Sequence, residues 1–247
     1  MLEYDREQIG RQAAEHGFIR DTFEKTCRLS ELLVYFDRDI VLSKYLALKG
    51  GTAINMTIFR LPRLSVDIDL DFTENIPLAE MMDRRQLITD TIQLYMTSAS
   101  YELTTKSKYR HSLDSFVFAY TNAGGVRDNI KIEINYSQRS HILPLEKRPI
   151  ETLGMFTPVE VQTVLPIEIF AGKINTLLSR TAARDLYDVN NMILAGLFNE
   201  EQQDMLRKCT VFYSAAAGSG QGSGLILTKP ASILTGSGVA AQSGGYI

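Results

Sequence analysis

The sequence predicts an α+β protein: a mixed sheet with a helical domain packed behind it. Three observations carry that expectation. Val66 to Phe72 and Asn129 to Asn135 alternate strictly between apolar and polar residues, the period of a half-buried strand. After Pro166, the apolar positions Ile169, Ile174, Leu177 and Leu178 instead repeat at helical spacing. Strand-like runs come first along the chain and helices dominate later, the order of a sheet whose helices are segregated to one part of the domain.

In chain order, residues 4 to 39 read as two amphipathic helices. A strand near 44 to 49 (Tyr45, Leu46, Ala47, Leu48) leads into Gly50-Gly51, a turn. A short helix follows at 52 to 59, with apolar Ala53, Ile54, Met56, Ile58 and Phe59. The acidic strand covers 66 to 72, and a helix around 78 to 97 comes next. Further strand-like runs are Tyr101 to Thr105, Ser115 to Thr121, Asn129 to Tyr136 and Val161 to Leu165. Helices are expected near 166 to 179, 184 to 195 and 199 to 213, the first opened by Pro166, a residue suited to a first helical turn. From about Ser214 the character changes. Residues 210 to 247 hold eight of the seventeen glycines and one charge, Lys229, and Ala215 to Gly224 reads as flexible linker. The domain boundaries that follow are 1–39 (N-terminal helices packing on a catalytic domain), 40–165 (the catalytic domain), 166–213 (helices completing the site) and 214–247 (a flexible or non-native tail).

Composition excludes several classes. Cys27 and Cys209 are far apart and imply neither a disulfide framework nor zinc spacing, and His16, His111 and His141 form no ligand pattern. No charged-then-apolar leader opens the chain and no apolar run is long enough to span a bilayer, so a cytoplasmic location without membrane partners is expected. A formal charge of −3 argues against nucleic-acid binding through bulk charge. Local basic clusters remain in Lys106, Lys108 and Arg110, and in Arg139, Lys147 and Arg148.

The chemistry concentrates in four places. In Val66-Asp67-Ile68-Asp69-Leu70-Asp71-Phe72 the three aspartates share one face of a strand and the apolar residues share the other. Like charges side by side repel unless a cation neutralises them, so the acidic face reads as a metal site. A calcium loop is excluded: it needs Gly at position six and Glu at twelve, where this chain has Phe72 and Leu78. Glu133 projects from the polar face of Asn129 to Asn135 and completes a three-carboxylate cluster if that strand lies beside the first. Gly50-Gly51-Thr52, between a strand and a helix, suits close approach of backbone to phosphate. Lys173, beside Gly172 on a helix flank, precedes Arg184-Asp185-Leu186-Tyr187-Asp188, whose carboxylates at i and i+3 fall near one face.

Leu48 to Ala53, Arg63 to Asp71, Ala171-Gly172-Lys173 and Arg184 to Asp188 together resemble the AbiEii/AbiGii toxin family, over roughly residues 1 to 213. The family is nucleotidyltransferase-like, of the polymerase-beta superfamily, from abortive-infection and type IV toxin–antitoxin systems. The resemblance implies a polymerase-beta-type mixed sheet with a C-terminal helical domain. It implies metal binding by Asp67, Asp69 and Glu133, with two Mg²⁺ ions. Nucleotide binding falls to Gly50, Gly51, Thr52, Arg63, Lys173 and Asp188. The catalytic set is Asp67, Asp69, Glu133, Lys173 and Asp185, with Asp185 and Asp188 orienting either Lys173 or the acceptor. The Thr or Ser expected after the lysine is Thr176 or Ser179. The implied activity transfers a nucleotide from an NTP to an RNA acceptor, the tRNA 3′ end being a candidate, with a cognate antitoxin acting without a stable complex. A small-molecule nucleotidyltransferase and an inactive nucleotide- or RNA-binding module are the alternatives.

Overall fold

Period-two alternation puts Ile68, Leu70, Ile130, Ile132 and Ile134 on one side of a sheet, and all five are buried in the computed structural model, which describes residues 4–61, 64, 66–137, 141–155 and 159–218. Each fully buried aliphatic side chain contributes about 1.5–3 kcal/mol, so this face fixes which way the strands turn. The strands are β1 (Leu46–Lys49), β2 (Asp67–Phe72), β3 (Glu102–Leu103), β4 (Lys108–Arg110), β5 (Leu113–Thr121), β6 (Arg127–Asn135), β7 (Glu146–Pro149) and β8 (Glu160–Thr163). They form one eight-stranded sheet in the order β3-β5-β6-β2-β1-β8-β7, with β4 also pairing with β5. β2 runs parallel to β6 and β1 parallel to β8; the other pairs are antiparallel, which makes the sheet mixed.

The helices are α1 (Arg6–Glu15), α2 (Arg20–Arg38), α3 (Ile40–Tyr45), α4 (Gly50–Ala53, continued as a π turn over Ile54–Ile58), α5 (Leu78–Ser98), α6 (Pro166–Arg180), α7 (Ala183–Leu194) and α8 (Glu200–Gly218). Leu29, Leu32 and Leu33 of α2 and Ile88, Ile92 and Met96 of α5 join the apolar sheet face in one core, which Phe170 of α6, Val189 of α7 and Leu206 of α8 also enter. A buried ion pair ties α2 to the β5–β6 turn. Arg28 Nη2 lies 2.8 Å from Glu24 Oε1, and Glu24 Oε2 accepts from the Ala123 N–H at 2.9 Å. Among the described residues no helix is long and apolar enough to cross a membrane.

Most elements lie within a few residues of where the sequence puts them. Ile40–Tyr45, partly read as the start of a strand, is a helix because the Asp39 carboxylate accepts from the Val41 and Leu42 N–H groups at 2.9 Å and caps it. β4 and β7 are additional strands with too little buried surface to show alternation. α8 continues to Gly218, past the expected end at 213 and into the Ala-rich start of the supposed linker. Alanine is the strongest helix former, and Ser214 Oγ donates to Asn175 Oδ1 on α6 at 3.2 Å. The remainder of the tail, 219–247, lies outside the described residues.

Candidate active site

The polar face of the sheet carries a row that crosses five strands in register: Lys49 opposite Asp69, Asp69 opposite Glu133, Glu133 opposite Ser115, and Ser115 opposite Lys108. Asp67, one step along, lies opposite Lys131. Asp67, Asp69 and Glu133 therefore share one face of two adjacent strands. Burial, first, and then the Glu133 carboxylate push the Asp69 carboxyl above its ordinary value; Asp67 adds to the rise, while Lys49 and Lys173 oppose it. The third aspartate of the strand departs from the sequence reading. Asp71 is buried and ion-paired with Lys49 Nζ, so its neutralising cation is a lysine. Glu133 is also engaged, with Lys131 Nζ at 2.8 Å.

The turn after β1 packs against this strand. Gly50 has φ +68°, the left-handed region, and a Cβ there would lie 2.9 Å from Asp69 Cβ and overlap its carboxylate. Only glycine lets the backbone pass so close. Gly51 accepts at its carbonyl from Asn55 Nδ2 at 2.7 Å. Thr52 is fully buried, and its hydroxyl donates to the Asp67 backbone carbonyl, clamping the turn to β2.

α6 supplies the opposite wall, and α7 sets two carboxylates against its lysine. Lys173 Nζ lies 2.8 Å from Asp185 Oδ1 and 3.3 Å from Asp188 Oδ2, and Arg180 Nε donates to Asp185 Oδ2 at 2.8 Å. Both carboxylates are buried, and both lie within ion-pair distance of Lys173. Arg180 is a site residue that sequence reasoning missed. Its spacing of seven from Lys173, two helical turns, is the signal that could have found it. A cleft of about 500 Å³ runs along α6, with Lys49, Gly50, Gly172, Lys173, Thr176 and Arg180 among its lining residues. Of the two hydroxyls left open in the sequence, Thr176 faces this cleft, while Ser179 is exposed and donates to the Asn175 carbonyl. His141, patternless in sequence, also lines the cleft, its buried Nδ1 4.0 Å from Glu168 Oε1. Arg63 and Arg139 lie outside the described residues.

Asp185 gives a pH-dependent expectation. Burial alone would raise its carboxyl, but the hydrogen bonds from Arg180 and Lys173 outweigh it and hold the pKa below the ordinary carboxylate value. A lowered folded-state pKa stabilises above the unfolded value of about 3.9, and that stability is lost as pH falls through the folded one. The Tm of wild type should therefore exceed that of Asp185→Asn at pH 7, with the gap closing below about pH 4. Thermal melts across pH check it, and a gap independent of pH would refute the linkage.

A mixed sheet with paired aspartates on its polar face, a glycine turn against them and a lysine-bearing helix beside them is built on the fold of a nucleotidyltransferase. The sequence matches the family described as "Nucleotidyl transferase AbiEii toxin, Type IV TA system" over residues 33–235, and the chain belongs to that family. Among solved structures it is similar to MenT4, a nucleotidyltransferase toxin from Mycobacterium tuberculosis H37Rv (TM-score 0.62, 18% identity, covering 92% of this chain and 75% of that one). A putative nucleotidyltransferase from H. pylori also matches (TM-score 0.48, 20% identity, 78% and 79% covered). No curated protein matches the chain.

Proposed function

We propose that this toxin transfers a nucleotidyl group from an NTP to a hydroxyl of an RNA acceptor, the tRNA 3′ end being the candidate, in a Mg²⁺-dependent reaction. The observation that supports this best is the placement of Asp67, Asp69 and Glu133 on one sheet face, with Asp69 packed against the Gly50 turn that lines one cleft together with Lys173. The donor set suits Mg²⁺. All three are hard oxygen ligands, and burial first, with the Glu133 and Asp67 charges adding to it, disfavours ionised Asp69 unless a cation joins it. Among the described residues no three His, Cys, Asp or Glu side chains converge into a ready-made metal cage. Mg²⁺ does not require one, since it binds through one or two carboxylates, waters and substrate phosphates. Asp67 and Asp69 are the first ligands in this reading, and Glu133 joins by leaving Lys131. Two bound ions would supply charge neutralisation at the attacking and leaving oxygens.

The chain's own residues do the rest. Gly50 and Gly51 bring backbone alongside the triphosphate, and Thr52 keeps that turn on β2. Lys173, held by Asp185 and Asp188, meets the same phosphates as a compact charge, with Arg180 beside it. The acceptor oxygen bonds to the α-phosphorus as the bond to the bridging oxygen breaks; pyrophosphate leaves with that electron pair, and the hydroxyl proton passes to water. Membership of a toxin–antitoxin family implies an antitoxin partner, and action of that antitoxin without a stable complex belongs to the same proposal.

Incubating the protein with labelled NTPs and bulk cellular RNA tests this reading. Label is expected on RNA with Mg²⁺ and not with chelator; label confined to a small molecule would overturn the RNA acceptor. Lys173→Ala is expected to weaken NTP binding about tenfold or more, the loss of one charge-assisted contact, and Lys173→Arg to restore it incompletely, because a planar fork replaces a point charge. Calorimetric titration with a non-reacting NTP analogue reads this, and unchanged affinity would remove Lys173 from the phosphate site.

A further inference from the structure

The sequence offers two basic clusters, and the structure separates them. Lys147 pairs with Asp37 at 2.9 Å and Arg148 pairs with Glu146, so the described members of that cluster already have acidic partners. Lys106, Lys108 and Arg110 are exposed, and among the described residues none of their side chains has an ion-pair or hydrogen-bond partner. Three cations with no ion-pair partner among the described residues give an acidic protein a local positive surface that net charge conceals.

Their position is more informative than their number. Lys106, Lys108 and Arg110 line a groove of about 240 Å³ together with Ser115, Lys131 and Glu133. Lys108 lies in the register row that continues through Ser115 to Glu133 and Asp69, two strand spacings or about 10 Å from Glu133. Lys108 and Arg110 are alternate residues of β4, so both project from the same face, about 6.7 Å apart. The carboxylates therefore stand between two cation-bearing depressions. One is the cleft on the β1 and α6 side, with Lys49, Lys173 and Arg180; the other is this groove on the β4 and β5 side. Phosphoryl transfer puts attacking and leaving oxygens roughly in line, on opposite sides of the phosphorus. If the first depression holds the triphosphate, the second is where the acceptor enters.

We propose that the β4–β6 groove binds backbone phosphates of a single-stranded RNA 3′ end through Lys106, Lys108 and Arg110, and so brings its terminal hydroxyl toward Glu133. The placement of the hydroxyl rests on the transfer reaction proposed above; the phosphate-binding surface does not. A row of cations without an acidic partner among the described residues suits a polyanionic acceptor and repels a cationic small molecule.

The test is binding without turnover. A 5′-labelled single-stranded RNA oligonucleotide is titrated by fluorescence anisotropy with wild type and with the triple variant Lys106→Ala/Lys108→Ala/Arg110→Ala. Salt is varied from about 50 to 200 mM, the range over which phosphate contacts are strongly salt-dependent. The three positions are exposed, so the variant should keep its circular dichroism spectrum and its NTP affinity. Its RNA affinity at the lowest salt is expected to fall at least about tenfold, and the slope of log affinity against log salt by about 2, at about 0.7 per phosphate contact on a single strand. A wild type that does not bind the oligonucleotide, or a variant with wild-type affinity and slope, overturns the groove. If the variant loses the slope while wild type transfers label to no acceptor, the groove stands and the transferase reading fails.

Discussion

Asp69→Asn is expected to lower nucleotidyl transfer by about three orders of magnitude while leaving the fold intact. The substitution keeps the side chain's shape and removes its charge; on the proposed reaction Asp69 would hold the metal ion, which would supply several kcal/mol of transition-state charge stabilisation. Structural damage should be absent. Asp69 stands in the repulsive field of Glu133 and Asp67, and its carboxyl is already pushed up by burial and by those neighbours. A group whose folded pKa is raised is favoured in its protonated form, so ionised Asp69 works against folding at pH 7. The metal-free Tm of Asp69→Asn should then equal or exceed that of wild type, as should that of Asp69→Ala. Incorporation of label from each of the four NTPs and a thermal melt in chelator read both halves. Full activity in Asp69→Asn would end the carboxylate mechanism, whereas a lower Tm would contradict only the electrostatic account.

Asp71, two residues on, shows how far such reasoning reaches from sequence. Alternation makes Asp67, Asp69 and Asp71 equivalent, and it correctly places Ile68 and Leu70 in the core. What separates them is the antiparallel neighbour. β1 ends at Lys49, which lies opposite Asp69 in register but turns its ammonium to an ion pair with Asp71. Strand register is a tertiary property, and no period in β2 encodes it. The parallel pairing of Asp69 with Glu133 was legible only as a condition, that the two strands be neighbours; the sheet order meets it. Thr176 and Ser179 were indistinguishable for a similar reason, since three residues on a helix shift the facing direction by only about 60°. The two basic clusters looked alike because ion pairs such as Lys147 with Asp37 join residues distant in sequence. β4 and β7 went unread because a strand that buries little carries no alternation. His141 could not be singled out, since its place in the cleft depends on α6 packing across the sheet.

Gly50→Ala is expected to damage both stability and activity, through two effects that can be told apart. At φ +68° an alanine pays the left-handed penalty of about 1–2 kcal/mol. Its Cβ would also lie 2.9 Å from Asp69 Cβ and overlap the carboxylate, a contact that real structures relieve by moving something. The turn has little freedom to yield: β1 and β2 are paired from Leu46 opposite Phe72 to Lys49 opposite Asp69, and Thr52 is tied to the Asp67 carbonyl. Overpacking of this kind costs about 1–3 kcal/mol. Together the two effects, about 2–5 kcal/mol, should lower Tm by about 4–20 °C in a chain of this size. Whichever way Asp69 turns to escape, it leaves its position, and a displacement of about 1 Å is enough to cost about a hundredfold in rate. A double-mutant cycle with Asp69→Gly separates strain from collision. With the Asp69 side chain gone, Gly50→Ala should cost only the backbone share, about 1–2 kcal/mol, so the cycle should show a coupling of about 1 kcal/mol or more. Additive losses would mean that the new methyl never reaches Asp69, and that close packing of turn against strand is not why glycine is needed at this position.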